Sequence, residues 1–169
     1  SNLRKFSLHA DIVWPDQISL TDKTLAALAM YCPRLYSLTI TCYSMQYKDS
    51  VMAQLFSSCR SLRCIIFQGD LGPSTFKLMS LHCKQLRKLD LFCSSITDAN
   101  VLTVVKGCPL LQELALNTCD ELTSAGIAAC GPYCSQLLDV SFHLYPLDIE
   151  VVPFFNHVNV LINMAGCLP

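Results

Sequence analysis

Residues 108–119 read CPLLQELALNTC, and residues 83–93 read CKQLRKLDLFC. Each opens on a cysteine, reaches a leucine three residues later and runs apolar–polar–apolar toward a second cysteine. The frame is C-x-x-L-x-x-Φ-x-Φ, where Φ is apolar. It also fits CPRLYSLTI from Cys32, CRSLRCIIF from Cys59 and CSQLLDVSF from Cys134. The five opening cysteines stand 27, 24, 25 and 26 residues apart. A first copy, LRKFSL at residues 3–8, lacks the cysteine, and a weaker last copy is read in FNHVNVLIN at residues 155–163. A fixed period of this length is the mark of stacked repeats. The Φ-x-Φ alternation is that of a strand with one buried face.

The second half of each unit is less regular. Leu20-Thr21-Asp22, Ile96-Thr97-Asp98 and Leu122-Thr123-Ser124 occupy related places. They lead into KTLAALAMYC, ANVLTVVKGC and AGIAACGPYC, which read as helices. Asp22 and Asp98, or the threonines beside them, supply helix N-caps, because a short polar oxygen accepts from the orphan N–H groups of the first turn. The unit is therefore strand, turn, short helix and return. One such unit cannot bury its apolar side alone, whereas a stack makes a continuous core. The expected inward set is Leu35/Leu38/Ile40, Leu62/Ile65/Phe67, Leu86/Leu89/Leu91 and Leu111/Leu114/Leu116.

This pattern resembles the leucine-rich repeat in its cysteine-containing subtype, with about 26 residues per unit. The best match is CPLLQELALNTCDELTSAG, which places Cys119 at the Cys/Asn position of the motif. Cys42 and Cys93 fall one residue early for that position, and Asp70 occupies it in another unit. Residues 11–19, DIVWPDQIS, are an insertion with the only tryptophan, and the last connection, LYPLDIEVVPF, is short. The resemblance implies an α/β fold: a right-handed solenoid of roughly six to seven repeats, with a parallel sheet on the concave face and helices on the convex face. The expectation is a single domain over residues 1–169, with repeats starting near 3, 32, 59, 83, 108 and 134 and a weak terminal repeat or cap over 152–169.

Eleven cysteines invite other readings. A zinc site wants paired elements converging on one point, and Cys130-Gly131-Pro132-Tyr133-Cys134 has no partner pair. A redox motif wants C-x-x-C at a helix start, whereas Gly131-Pro132 reads as a helix end. Disulfides fit poorly with an odd number and a spacing set by the repeat. Free cysteine is among the most buried residue types, so these thiols are expected to pack at repeat boundaries. Reduced thiols suit a cytoplasmic or nuclear setting. A thiol enzyme using Cys130 and Cys134 is the sharper rival.

Hydrophobic residues make up 52% of the chain and charged residues 15%, which excludes a disordered segment. A net charge of −1 gives no overall drive toward nucleic acid or an anionic membrane, so neither is expected as a partner. Residues 151–169 come nearest to a membrane span, but Pro153, Asn156, His157, Asn159 and Asn163 interrupt them. The start of the chain lacks a signal-peptide pattern and an initiator methionine, which leaves a piece of a longer protein as one reading of these residues. His9, His82, His143 and His157 are scattered, and no nucleophile–base pairing or phosphate loop is present. No enzyme activity, metal or cofactor is expected.

The strands offer a better site. Alternate side chains point away from the core in three columns. One is Lys5, Ser37, Cys64, Lys88, Glu113 and Asp139; the next is Ser7, Thr39, Ile66, Asp90, Ala115 and Ser141; the last is His9, Thr41, Gln68, Phe92, Asn117 and His143. These columns vary while the core repeats, as expected of a surface shaped by a partner. Phe92 and Ile66 are candidate apolar anchors. Charge is split along the chain. All 12 Lys and Arg, with 7 acids, lie in residues 1–106, whereas residues 107–169 hold 6 acids and no Lys or Arg. Arg4, Arg63 and Arg87 recur at one unit position and are expected to form a basic ridge beside the concave face.

The cysteine-containing repeat is typical of F-box proteins. The resemblance implies a protein-interaction module that captures substrates for a cullin–RING ubiquitin ligase, and the Skp adaptor as a partner through an F-box. No F-box is read in these residues. It either precedes them in a longer chain, or the protein is a stand-alone repeat adaptor. The alternative is a structural or assembly subunit, with the apolar stretch VVPFFNHVNVLINMAGCLP docking on a neighbour instead of capping the solenoid.

Overall fold

In a computed structural model, the described residues are 2–10, 20–42, 45–92, 95–119, 121–143 and 159–162. The side chains of Ala10, Leu20, Cys42, Met45, Gln46, Phe142, His143 and 159–162 fall outside the description. The insertion at 11–19, the last connection and most of the C-terminal stretch also lie outside the described residues.

The chain alternates strands and helices. In order it forms β1 (Lys5–Ala10), β2 (Leu20–Thr21), α1 (Asp22–Tyr31), β3 (Ser37–Cys42), β4 (Met45–Gln46) and α2 (Asp49–Ser58). There follow β5 (Cys64–Gln68), α3 (Pro73–His82), β6 (Lys88–Phe92), α4 (Asp98–Gly107) and β7 (Glu113–Asn117). The chain continues with α5 (Ser124–Cys130), a 3₁₀ turn (Gly131–Tyr133), β8 (Asp139–His143) and β9 (Asn159–Ile162). Seven strands make one sheet in the order β1-β3-β5-β6-β7-β8-β9, with every neighbouring pair parallel. The short β2 and β4 pair separately, also in parallel. This is a leucine-rich-repeat solenoid, with the right-handed crossovers usual for strand–helix–strand units.

Its curvature follows from the two layers. Strands repeat every 4.7–4.9 Å or so, whereas packed helices sit about 8–10 Å apart. A stack alternating the two bends with the sheet on the inside. The helices form the outer layer and touch in sequence: α1 with α2, α2 with α3, α3 with α4 and α4 with α5.

The register explains the core. Phe6, Leu38, Ile65, Leu89, Leu114 and Val140 align across the strands, as do Leu8, Ile40, Phe67, Leu91 and Leu116. From β3 to β7 all of these are buried, while Phe6 and Leu8, on the edge strand, are partly covered. The repeat leucines Leu35, Leu62, Leu86, Leu111 and Leu137 add a further buried row.

The opening cysteines end the helices. Cys32, Cys59, Cys83 and Cys108 are C-caps, and their N–H groups donate to Leu28, Leu55, Met79 and Val104. All four are buried. Cys59 Sγ donates to the Cys32 carbonyl at 3.4 Å, so a thiol also ties one unit to the previous one. Cys119 Sγ, in the turn after β7, donates to Asn117 O at 3.4 Å.

Of the N-cap candidates, the threonines hold the cap positions, and Thr21 does so without a side-chain cap bond. Thr97 accepts from Asn100 N in a capping box, and Thr123 accepts from Gly126 N. The aspartates are the first residues of their helices and reach to the next unit. Asp22 Oδ1 accepts from Lys48 N at 2.7 Å, and Asp98 accepts from Thr123 N and Oγ1 at 2.8 and 2.7 Å. Asp49 accepts from Ser74 N and Thr75 N at 3.0 and 3.2 Å, and from Thr75 Oγ1. Gly72, the N-cap of α3, has no side-chain oxygen. Asp49 supplies that acceptor from the neighbouring unit, and a Cβ on Gly72 would sit 2.5 Å from its carboxyl carbon.

The last copy is framed differently from its sequence reading. The frame at 155–163 puts Leu161 and Asn163 at the core positions. The β8–β9 register instead matches Val140 to Val160 and Phe142 to Ile162. A shift of one residue exchanges the two faces of a strand, and this register puts two apolar residues in line with the core.

Candidate functional site

The concave sheet carries three rows, set by strand pairing. Lys5, Ser37, Cys64, Lys88, Glu113 and Asp139 are paired in sequence from β1 to β8. Ser7, Thr39, Ile66, Asp90, Ala115 and Ser141 form the middle row, and His9, Thr41, Gln68, Phe92, Asn117 and His143 the third. Their exposure is uneven. Lys5, Ser7, His9, Phe92 and Asp139 are exposed, while Ser37, Thr41, Cys64, Ile66, Gln68, Lys88, Asp90, Glu113 and Ser141 are half-buried. Thr39 and Asn117 are buried, so neighbours cover them although they belong to outward rows. Of His143 only the register position is described.

Short polar contacts link neighbouring strands, two within a row and one between rows. Lys88 Nζ pairs with Glu113 Oε2. Asn117 Nδ2 donates to Asp90 Oδ1 at 3.0 Å, and His9 Nδ1 lies 2.7 Å from Thr41 Oγ1. Burial pushes the Asp90 carboxyl above the usual range against the pull of Lys88 and of the Asn117 bond, and the Glu113 charge adds to the rise. Lys88 is raised by its bond to Glu113, partly offset by burial. Around Ala115, the smallest side chain of the middle row, Asp90, Glu113, Asp139 and Ser141 border a hollow of about 260 Å³.

The basic ridge is interrupted. The backbone ladder runs from Arg4 O to Tyr36 N, Tyr36 O to Arg63 N and Arg63 O to Arg87 N, each at 2.8 Å. Tyr36 therefore stands between Arg4 and Arg63. Gln112 and Leu138 continue the row, and Arg87 Nη1 reaches Gln112 Oε1 at 3.4 Å. Arg4 and Arg63 share a cleft of about 810 Å³ with Lys5, Arg34, Tyr36 and Ser61. Arg34, Tyr36 and Ser61 are the residues that sequence reasoning missed. The available signal was that Arg34 and Ser61 hold the same unit position, one before the repeat leucines Leu35 and Leu62.

No protein-family model matches the chain. The chain is 29% identical over 90 residues to F-box/LRR-repeat protein 4 of Bos taurus, covering 49% of this chain and 14% of that protein. It is 28% identical over 112 residues to F-box protein FBW2 of Arabidopsis thaliana, covering 66% and 35%. It is also 28% identical over 130 residues to coronatine-insensitive protein homolog 2 of Oryza sativa subsp. indica, covering 68% and 21%. The chain has a leucine-rich-repeat fold and is similar to F-box/LRR-repeat proteins. The matches span between 14% and 35% of the length of these relatives.

In this repeat protein the thiols sit as packing groups. Of the cysteines whose side chains are described, all but Cys64 are buried, and Cys32, Cys59, Cys64, Cys83, Cys108 and Cys130 are free thiols. Burial, with a contribution from Cys134 and Asp98, pushes Cys130 up to about 12, and burial pushes Cys134 up to about 11. A nucleophilic thiolate needs the opposite shift. Cys130 Sγ instead donates to Gly126 O at 3.3 Å, within its own helix. Among the described residues no three His, Cys, Asp or Glu side chains converge as metal ligands, and no helix is long and apolar enough to cross a membrane.

Proposed function

We propose that this chain is the partner-binding part of a ubiquitin-ligase substrate receptor, receiving a protein on its concave sheet. In this reading residues 1–169 act as one repeat domain, without enzyme activity or cofactor, in the cytoplasm or nucleus. The Skp adaptor is engaged through an F-box that these residues do not contain. The observation that carries the reading is the contrast between the two faces of one sheet. Inward rows repeat Leu, Ile, Val and Phe, whereas outward rows mix cations, acids, hydroxyls, amides and apolar side chains along the sheet and leave Phe92 exposed beside Asp90 and Gln68. Strand geometry asks for no such variety, and a ligand does. The likeness to F-box/LRR-repeat protein 4 and to FBW2 supports the receptor role.

The test is purification of the full-length product from its own cells, as wild type and as Asp90→Lys/Phe92→Glu. The expected result is recovery of the Skp adaptor with both, and of a second protein with wild type alone. That second protein should accumulate in cells when the receptor is deleted. Absence of the adaptor from both preparations would sink the ligase role.

A further inference from the structure

Four cations meet where β1, β3 and β5 begin. Arg4, Lys5, Arg34 and Arg63 line one cleft together with Tyr36 and Ser61. Arg4 and Arg63 share one unit position, whereas Lys5 stands one residue after it and Arg34 two before it, so no single repeat preference explains the meeting of all four. Lys88, on the same sheet, is matched by Glu113. Among the described residues no carboxylate lies within ion-pair distance of the four cleft cations. Each guanidinium offers N–H donors in a planar fork suited to carboxylate or phosphate oxygens. Lys5 Nζ stands 5.5 Å from the centre of the Tyr36 ring, which holds that charge at the cleft wall. Like charges gathered without a counter-ion repel one another, and a bound anion relieves the repulsion.

The far half of the chain limits what that anion can be part of. Residues 107–169 hold 6 acids and no Lys or Arg. A uniformly anionic ligand lying along the sheet would be repelled at β7 and β8, where Glu113 and Asp139 stand in the row that begins with Lys5.

We propose that this cleft seats an anionic group, a phosphate or paired carboxylates, carried on an extended segment of the partner protein. The segment lies across the strands with its anionic end at β1–β5 and a neutral or cationic end toward β7 and β8. This rests on the reading of the concave sheet as the partner-binding face. From β3 to β7 is three strand steps, about 14 Å at strand spacing, which about four to five extended residues cover.

The test uses fluorescent pools of peptides about ten residues long, titrated against the chain at two salt concentrations. One pool carries phosphoserine near one end and lysine about four to five residues away; a second replaces phosphoserine with Glu-Glu; a third replaces it with Ala-Ala; a fourth is acidic throughout. The first or second pool is expected to bind at least about tenfold more tightly than the third and fourth, and the preferred one identifies the anion. Arg4→Glu/Arg63→Glu should abolish that preference, and Lys77→Glu, on α3, should leave it. Equal binding by all pools, equal loss with Lys77→Glu, or displacement by inorganic phosphate as effectively as by phosphopeptide would each overturn the proposal. So would tighter binding of a single-stranded oligonucleotide. Partner recovery by the full-length protein separates the two readings. Loss with Asp90→Lys/Phe92→Glu but not with Arg4→Glu/Arg63→Glu removes the cleft and leaves the receptor face. Retention by both removes the face itself.

Discussion

Asp49 and Asp90 are both acids on repeat strand–helix units, and their surroundings push them in opposite directions. Burial raises Asp49, but bonds from Thr75 and Ser74 outweigh it and hold the carboxyl below its usual 3.8. Its stabilising contribution is present above that value and is lost as pH falls through the folded-state pKa. Asp49→Ala is expected to cost about 2 kcal/mol, read as a lower urea midpoint, because it strips charge-assisted acceptors from the start of α3. The deficit should shrink in strong acid, and an unchanged deficit there would argue against the carboxylate as the cause. Asp90 is raised by burial, so its folded form holds the proton more tightly. Stability linked to it is present below 3.8 and declines as pH rises through the raised value. Asp90→Asn should therefore be more stable than wild type at neutral pH, with the gap closing in acid. Thiol labelling gives a third check at this scale. Among the cysteines whose side chains are described, Cys64, half-buried, should react first at mildly alkaline pH, with the buried ones released only on unfolding.

At the scale of elements, the turns that follow the strands carry the strain, and the joints between units carry the close packing. Thr118, just after β7, has φ 55, and Gly69, at the same place after β5, has φ 137. Glycine takes this conformation freely, whereas a β-branched residue does not. Thr118→Gly is expected to stabilise by about 1 kcal/mol, measured by thermal melting, and no gain would mean that the strain is absorbed elsewhere. Gly107, which ends α4, faces the backbone of Ser80, and a Cβ there would sit 2.5 Å from the Ser80 carbonyl oxygen. Lys84 Nζ bridges the same joint, donating to Ser80 O at 2.6 Å and Gly107 O at 2.8 Å, a cation set on two helix C-termini. Gly107→Ala should cost about 1–3 kcal/mol, since backbone cannot step aside as a side chain can.

Over the whole molecule, the fold was legible in the sequence because its rule is local and repeated. C-x-x-L-x-x-Φ-x-Φ fixes which strand positions face inward, and parallel pairing carries that register from β1 to β8. What was not legible depends on distance between units. Asp22, Asp49 and Asp98 act on backbone 25 or 26 residues away, with no neighbouring signal to announce it. The covering of Thr39 and Asn117, and the convergence of Arg34 with Arg4 and Arg63, exist only once the rows are stacked. The last copy was misframed because FNHVNVLIN has no cysteine to anchor it, and apolar residues there fit two frames. The same stacking makes the central claim about function a claim about faces. Concave rows vary and convex helices carry the packing, so partner capture should depend on one face alone. The most direct measurement compares two matched double variants of the full-length protein, Asp90→Lys/Phe92→Glu inside the sheet and Lys77→Glu/Leu81→Glu on α3, after both are shown to fold like wild type. The account predicts partner loss with the first and full recovery with the second. Loss with the second and recovery with the first would contradict it.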